Sequence, residues 1–270
     1  MPREDAITVW NLADLERLHS DRVTTVPFTG REEAVNGADW EWWFHTSDLG
    51  FGMRIQAKRA MPGGAGYRLE YHPRPGQRQS DLLVRDALDN NCIPAYVLYN
   101  HRNWVPRVEE GLPVACAHGP GETSHLGCTI VSAFTVHAAP DSPAFVRDRS
   151  MPWNRVLCDG RTPTALSSLE ATYKEARELH ARGLDDLATT ARAGEPPGTN
   201  APVPMRLDNE SASPARVNGI FGEPRYAGAH TLTDRPLQRL PGRVLDMIRR
   251  PEPTIGPDGR AEGAVLFNLG

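Results

Sequence analysis

Residues 37–59, GADWEWWFHTSDLGFGMRIQAKR, constrain the fold of this chain more than any other stretch. Two apolar-rich runs flank a short polar turn that contains glycine, which predicts a β-hairpin with strands over residues 38–45 and 53–59. We interpret the three tryptophans of the first strand as core aromatics in preference to base-stacking platforms, because a central strand needs bulk. The hairpin is therefore expected to lie in the interior of a sheet.

The polar side chains of this hairpin gather on particular faces, because side chains alternate across a strand. Asp39 and Glu41 share one face of the first strand, and Gln56 and Lys58 share one face of the second. If these faces coincide, carboxylates, an amide and an ammonium group lie together among bulky aromatics. Burying such groups without partners is costly, so the cluster requires a functional or structural reason.

Length and composition set the broad class of the protein. A chain of 270 residues is long enough for one large domain or two small ones. No apolar run approaches the roughly 18 residues of a membrane span, so no membrane association is expected. The N-terminal sequence MPREDAITVWNLADL has acidic residues where a signal peptide needs an apolar core, which predicts a cytoplasmic protein. Its four cysteines are then reduced thiols or metal ligands in preference to disulfides.

Charge is unevenly distributed along the chain, although the net charge is only -4. Residues 1–53 carry four basic side chains against ten acidic ones, and residues 54–107 carry nine against four. This asymmetry suits a site that holds a metal ion and an anionic polymer together, with a solvated surface as the alternative. Only Lys58 and Lys174 among the 30 basic residues are lysines. Lys58 therefore marks a position that favours a compact ammonium group.

Hydrophobic periodicity extends the prediction to the rest of the chain. It predicts helices over residues 6–20, 79–90 and 164–182, and strands over residues 66–71 and 93–99 in addition to the hairpin. This order predicts an α/β fold in which a mixed central sheet is flanked by helices. Residues 1–160 would form the core domain, and residues 161–270 a helical and loop-rich extension packed on it.

The chemistry of the hairpin points to phosphodiester hydrolysis. An acid on one strand and a Gln-x-Lys triplet on its neighbour, here Asp39 and Gln56-Ala57-Lys58, is the arrangement of metal-dependent cleavage. A divalent cation activates water and neutralises the charge that develops at phosphorus. Mg²⁺, or Mn²⁺ in its place, takes oxygen ligands from carboxylates, carbonyls and water. Lysine can orient or deprotonate the attacking water and stabilise the developing charge.

The same residues resemble a known superfamily. Gly37-Ala38-Asp39 followed by Gln56-Ala57-Lys58 resembles the PD-(D/E)xK nucleases, most closely the Mrr-like restriction-endonuclease branch, where Gln commonly replaces the first acid of the triplet. The phrase GADWEWWF…RIQAKR is also similar to a family of bacterial proteins placed in that superfamily. The resemblance covers about residues 30–100. It implies a Mg²⁺-dependent DNA endonuclease in bacterial restriction or phage defence, and leaves a homodimer or an activating sensor protein open as partners.

Position by position, the resemblance implies roles for individual residues. Asp39 would be the metal-binding acid, Gln56 would occupy the variable acid position and Lys58 would be the catalytic lysine. Glu33, or failing that Glu32, would match the acid that many members supply from the first helix.

Two further residues complete the predicted site. Gln56 removes one negative charge from the metal site, and Glu41, two residues along the strand from Asp39, could restore it; this is an inference from strand geometry. Gln79, at the start of a helix, would match a glutamine found there in some relatives. The predicted catalytic residues are thus Asp39, Glu41, Gln56 and Lys58, and the predicted metal ligands are Asp39, Glu41, Gln56 and Glu33.

Two alternatives of other classes remain. The first is a non-catalytic nucleic-acid- or protein-binding module on the same fold, because a fold does not fix an activity. The second is a small domain stabilised by structural Zn²⁺ at Cys116, His118, His125 and Cys128, residue types that zinc accepts in tetrahedral sites. A buried cysteine and surface histidines explain the second pattern equally well. No G-x-S-x-G elbow and no P-loop is present in the sequence.

Overall fold

The computed structural model describes residues 4–26, 38–62, 66–72, 78–101, 104–105, 126–157, 168–193, 229, 232, 235–250 and 264–270. In chain order the elements are α1 (Glu4–Leu18), β1 (Val23–Val26), β2 (Trp40–Thr46), β3 (Leu49–Arg59), α2 (Gln79–Asp89), β4 (Cys92–Tyr99), β5 (Cys128–Ser132), α3 (Ala133–Ala138), α4 (Pro143–Arg149), β6 (Met151–Pro152), α5 (Asn154–Leu157), α6 (Leu169–Ala193), β7 (Gln238–Arg239), α7 (Gly242–Arg249) and β8 (Ala264–Asn268). No helix in these ranges is long and apolar enough to cross a membrane.

The described strands form one mixed sheet in the order β1-β8-β2-β3-β4-β5-β6, with β7 paired to the start of β3. β3 is antiparallel to β2 and parallel to β4, and β5 is antiparallel to β4. β8 is parallel to β2 and antiparallel to β1. The sheet is open and its central pair is the predicted hairpin, so the predicted α/β class is confirmed.

Helices cover both faces of the sheet. On one face, Trp42, Phe44, Ile55 and Ala57 pack with residues of α1 and the first half of α6. On the other face, Leu83 and Val84 of α2 pack with Tyr96 and Leu98 of β4 and with α3. Beside them, Trp43 packs against Ala87 of α2 and against Val244 and Met247 of α7. The three tryptophans of β2 are all buried, which confirms that they are core residues.

The hairpin is longer than the sequence pattern predicts. Its strands are joined by Ser47 and Asp48 alone, and Ser47 has a positive φ of 48°. The pairing places Trp40 opposite Ile55 and Glu41 opposite Arg54. The polar faces of the two strands therefore coincide, and they lie under α2 and α7.

One strand prediction is wrong, and one strand lies where none is predicted. Residues 66–71 form no strand, although Tyr67 and Leu69 are buried while Arg68 and Glu70 are exposed. This alternation reflects burial of side chains beside α2 and α3, without a hydrogen-bonded ladder. The unpredicted strand is Val23–Val26, the first strand of the chain.

The C-terminal region also contributes more to the fold than expected. The boundary at residue 160 stays a prediction, but β8 lies inside the sheet between β1 and β2, and Val265 and Phe267 belong to the core. Residues 194–216 lie outside the described part of the chain, and Ala193 ends α6.

Gly50 tests the geometry of the hairpin. It pairs with His45, and a β-carbon at this position would lie 2.2 Å from the carbonyl oxygen of Phe44. The contact is with backbone, which cannot move away without disturbing the ladder. At Gly242, by contrast, a β-carbon would meet no atom within 4 Å.

We expect Gly50→Ala to lower the free energy of unfolding by about 1–3 kcal/mol, the usual cost of overpacking. Gly242→Ala is the matched control and should leave stability unchanged or slightly raised, because alanine favours a helix. Chemical denaturation of both variants measures the difference. Equal stability of the two variants would contradict the described hairpin.

Candidate functional site at the end of the central hairpin

The side chain of Asp39 lies at the end of β3. Its backbone N–H donates to the carbonyl of Ile55 over 2.7 Å, which continues the ladder one residue before β2 begins. Its Oδ2 accepts two hydrogen bonds, from the backbone N–H of Ala57 and from Nε2 of Gln56, each of 2.7 Å. The carboxylate is thus held against β3 by one main-chain and one side-chain donor. The structure brings the predicted acid and the predicted triplet together.

Gln56 also contacts the helix that covers this face. Nε2 of Gln79, the first residue of α2, donates to Oε1 of Gln56 over 2.6 Å. Nε2 of Gln56 lies 3.1 Å from the carbonyl oxygen of Ala57 as well as 2.7 Å from Asp39. Gln79, Gln56 and Asp39 therefore form one relay of hydrogen bonds from α2 to the hairpin. In this relay the amide nitrogen of Gln56 lies between a carboxylate oxygen of Asp39 and the carbonyl oxygen of Ala57.

Lys58 occupies the same strand face as Gln56, two residues further on. Its residue is only 9% exposed, and it lies opposite Leu98 in the register with β4. Gln56, which belongs to the relay, lies two residues away on the same strand face. The structure thus keeps Asp39, Gln56 and Lys58 at one end of β3.

The opposite flank of Asp39 is formed by β4 and α1. The hydroxyl of Tyr99 lies 2.8 Å from Oγ1 of Thr8. Burial raises the pKa of Tyr99, and the negative charge of Asp39 raises it further, so this phenol stays neutral. Tyr99 positions this flank and is not a candidate acid or base.

Glu41 lies in a different polar cluster, although it shares the strand face of Asp39. It is only 1% exposed, and both of its carboxylate oxygens are engaged by arginines. Arg243 of α7 makes two hydrogen bonds of 3.0 Å to it, and Arg54 of β3 forms an ion pair with it. Nε1 of Trp43 donates to the same carboxylate. This differs from the prediction that Glu41 restores charge to the metal site, because its charge is already balanced.

Asp86 of α2 completes the charge balance of this second cluster. Its Oδ2 lies 3.1 Å from Nε of Arg54 in an ion pair without hydrogen-bond geometry. Burial raises the pKa of Asp86, and the positive charge of Arg54 opposes that rise. Two acids and two arginines thus share one interior volume, and the four residues tie α2 and α7 to the hairpin.

The first cluster supplies the atoms that a hard cation accepts. These are the carboxylate of Asp39, the carbonyl of Ala57 and the amide oxygens of Gln56 and Gln79. No three His, Cys, Asp or Glu side chains lie close enough to form a metal site among the described residues. The chemistry of the donor set fits Mg²⁺ or Mn²⁺, provided that the amide of Gln56 turns its oxygen toward Asp39.

Several predicted ligands lie outside the described residues. Glu32 and Glu33 are among them, as are Cys116, His118 and His125 of the zinc alternative. Cys128 is described, and burial raises the pKa of its thiol well above the ordinary value.

Arg243 is the residue of this region that sequence reasoning missed. It lies 202 positions after Glu41, at the second residue of α7. No local pattern connects the two positions. The only signal for such a partner was indirect: a buried glutamate needs a cation, and Arg54 of the hairpin already supplies one.

The fold and the site together define the class of this protein: an open mixed α/β sheet with an acid–amide–lysine group at the end of its central hairpin. The family model "Family of unknown function (DUF6615)" matches residues 1–252, so the chain belongs to that family. No curated protein and no solved structure matches the chain.

The second cluster predicts the stability of a variant. Glu41→Gln removes one partner of a buried group of ions, which leaves arginine charge without compensation, and should lower the free energy of unfolding by about 3–5 kcal/mol. The matched control is Asp246→Asn, because Asp246 pairs with Arg249 at 3.7 Å on the surface, where its side chain is 76% exposed. That change should cost less than about 1 kcal/mol. A mild effect of Glu41→Gln, close to that of the control in urea denaturation, would show that Glu41 does not stabilise the fold.

Proposed function

We propose that this chain is a metal-dependent nuclease that hydrolyses phosphodiester bonds of DNA. The observation that carries the proposal is the position of Asp39, whose carboxylate is held by the N–H of Ala57 and the amide of Gln56. Lys58 follows on the same strand face, so an acid and an ammonium group flank the same end of β3. Rigid strands of a central sheet hold such a group to the precision that catalysis requires.

The oxygen atoms near Asp39 support a cation in this site. Mg²⁺ or Mn²⁺ would be held by Asp39, Gln56 and the carbonyl of Ala57, and would supply a Lewis acid and an activated water. Gln56 must turn its amide for this. The turned Nε2 would then face Nε2 of Gln79, so the amide of Gln79 must turn as well. Its Oε1, which is buried and has no hydrogen-bond partner among the described residues, would then accept from Gln56.

Lys58 would act on the attacking water and on the phosphate. Its ammonium group can hold the water in line with the scissile phosphorus and donate to a non-bridging oxygen as negative charge develops there. As the water oxygen bonds to phosphorus and releases a proton to solvent, the bond from phosphorus to the leaving oxygen breaks and that oxygen takes up a proton. Asp39 alone supplies carboxylate charge among the described residues of this cluster, so Glu33 remains the candidate for a second acid.

The biological setting in this proposal rests on the resemblance of residues 30–100 to restriction-type nucleases. We propose a role in bacterial restriction or phage defence on that basis. On the same resemblance we propose that the chain forms a homodimer or is activated by a sensor protein.

One observation favours a second function, a non-catalytic nucleic-acid- or protein-binding module. Asp39 and Gln56 satisfy each other without any cation, and no group of three metal-ligating side chains is found in the described part of the chain. A relay of this kind would serve as a structural connection between α2 and the hairpin. Such a module would keep its binding surface without catalysing hydrolysis.

Cleavage of plasmid DNA in Mg²⁺ or Mn²⁺ separates the two functions. We expect Asp39→Asn and Lys58→Ala each to lower the cleavage rate on the order of 10²-fold or more, because each removes a group that acts in the transition state. Lys174→Ala is the matched control: the other lysine of the chain, it is exposed on α6 and pairs with Glu178 at 3.8 Å. Its rate should equal that of the wild type.

Thermal unfolding of the same variants must show that they are folded. Equal cleavage by the wild type and both site variants would contradict the proposed catalytic residues. A wild-type protein that cleaves neither single- nor double-stranded DNA in either cation, yet binds it, would support the binding module.

A further inference from the structure

An aromatic side chain is exposed beside the proposed catalytic cluster. Tyr71 is 56% exposed, one of five large apolar side chains that the described residues leave on the surface. The others are Val9, Trp10 and Leu18 on α1 and Leu49 at the hairpin turn. Tyr71 is the one whose main chain bonds a residue of the relay: its carbonyl accepts from the N–H of Gln79 over 2.9 Å.

The segment that carries Tyr71 is anchored at its base. Tyr67 and Leu69 are buried in the core beneath α2 and α3, and the hydroxyl of Tyr67 bonds the side chain of Asn100. The N–H of Met61 donates to the carbonyl of Gly66 over 2.8 Å, which fixes the start of the segment. The alternation ends at Glu70: Arg68 and Glu70 are exposed, and Tyr71, which strict alternation would bury, lies at the surface. The backbone that leads to Tyr71 is thus anchored by buried side chains and hydrogen bonds.

Two arginines and one acid lie in the same stretch of chain as Tyr71. Arg68 and Glu70 are exposed, and Arg78, the residue before α2, is half-buried. In the described part of the chain the ring of Tyr71 makes no aromatic or cation–π contact. An exposed ring with arginines in the same stretch, at the edge of a site for phosphodiesters, matches the chemistry of single-stranded nucleic acid binding, where bases stack on aromatic side chains and arginines follow the backbone.

We propose that Tyr71 stacks on an unpaired base next to the scissile phosphate, so that the substrate is single-stranded DNA or the frayed end of a duplex. This inference rests on the proposed nuclease function and deepens it. Gln79 connects the stacking residue to the reacting end: its N–H holds Tyr71 and its side chain holds Gln56. In a closed duplex the bases are stacked on each other and offer no face to the ring. Tyr71 is therefore a specificity-determining residue.

The test is fluorescence anisotropy in EDTA, where no cleavage occurs, with two labelled probes: a single-stranded DNA 20-mer and a double-stranded DNA minicircle, which has no ends and no loops. The wild type should bind the single strand more tightly. Tyr71→Leu keeps apolar area but loses the ring, and should weaken single-strand binding about 5- to 150-fold while leaving minicircle binding unchanged. Tyr71→Phe should retain the wild-type affinity.

Leu49→Ala is the matched control, because Leu49 is exposed at the opposite end of β3. It should bind both probes as the wild type does. Wild-type affinity of Tyr71→Leu for the single strand, or an equal loss for both probes, overturns the stacking role. If the wild type still cleaves DNA in that case, the proposed function stands without it. If the wild type neither binds nor cleaves any probe, both proposals fail.

Discussion

Burial of charge on one face of the β2–β3 hairpin is the constraint on which the rest of the structure depends. Glu41 is almost fully buried in the centre of the sheet, and its carboxylate is balanced by Arg54 from the neighbouring strand and Arg243 from α7. A buried carboxylate without such partners would cost several kcal/mol. The pairing therefore requires α7, which lies near the end of the chain, to pack against the hairpin near its beginning.

Two polar clusters on this face have different consequences. Around Glu41 the charges are matched and buried, and α2, α7 and the hairpin are tied together. Around Asp39 the donors are a main-chain N–H and an amide, and the acid is only half-buried. The first arrangement stabilises a fold, whereas the second keeps a carboxylate at the end of a rigid strand, near water, with Lys58 on the same face. On that basis the proposed function uses Asp39 and leaves Glu41 to stabilise the fold.

Sequence patterns correctly predicted elements that depend on residues close together in the chain. The alternation in residues 37–59 correctly predicted the hairpin, whose polar faces coincide in the structure, and α2 begins at Gln79 as the periodicity indicated. The same alternation misled at residues 66–71, because it detects burial and cannot detect a ladder. The role of Glu41 and the insertion of β8 between β1 and β2 depend on contacts across more than two hundred residues. No pattern within a window of sequence contains that information.

The most direct test of the central claim, that Asp39 and Gln56 form a cation site in place of a purely structural relay, is Mn²⁺ binding measured by isothermal titration calorimetry. The account predicts one Mn²⁺ bound per wild-type chain and a loss of that binding in Asp39→Asn, with Asp246→Asn binding as the wild type does. Asp246 is a suitable control because it lies exposed on α7. Absence of Mn²⁺ binding by the folded wild type, or equal binding by Asp39→Asn, would contradict the account.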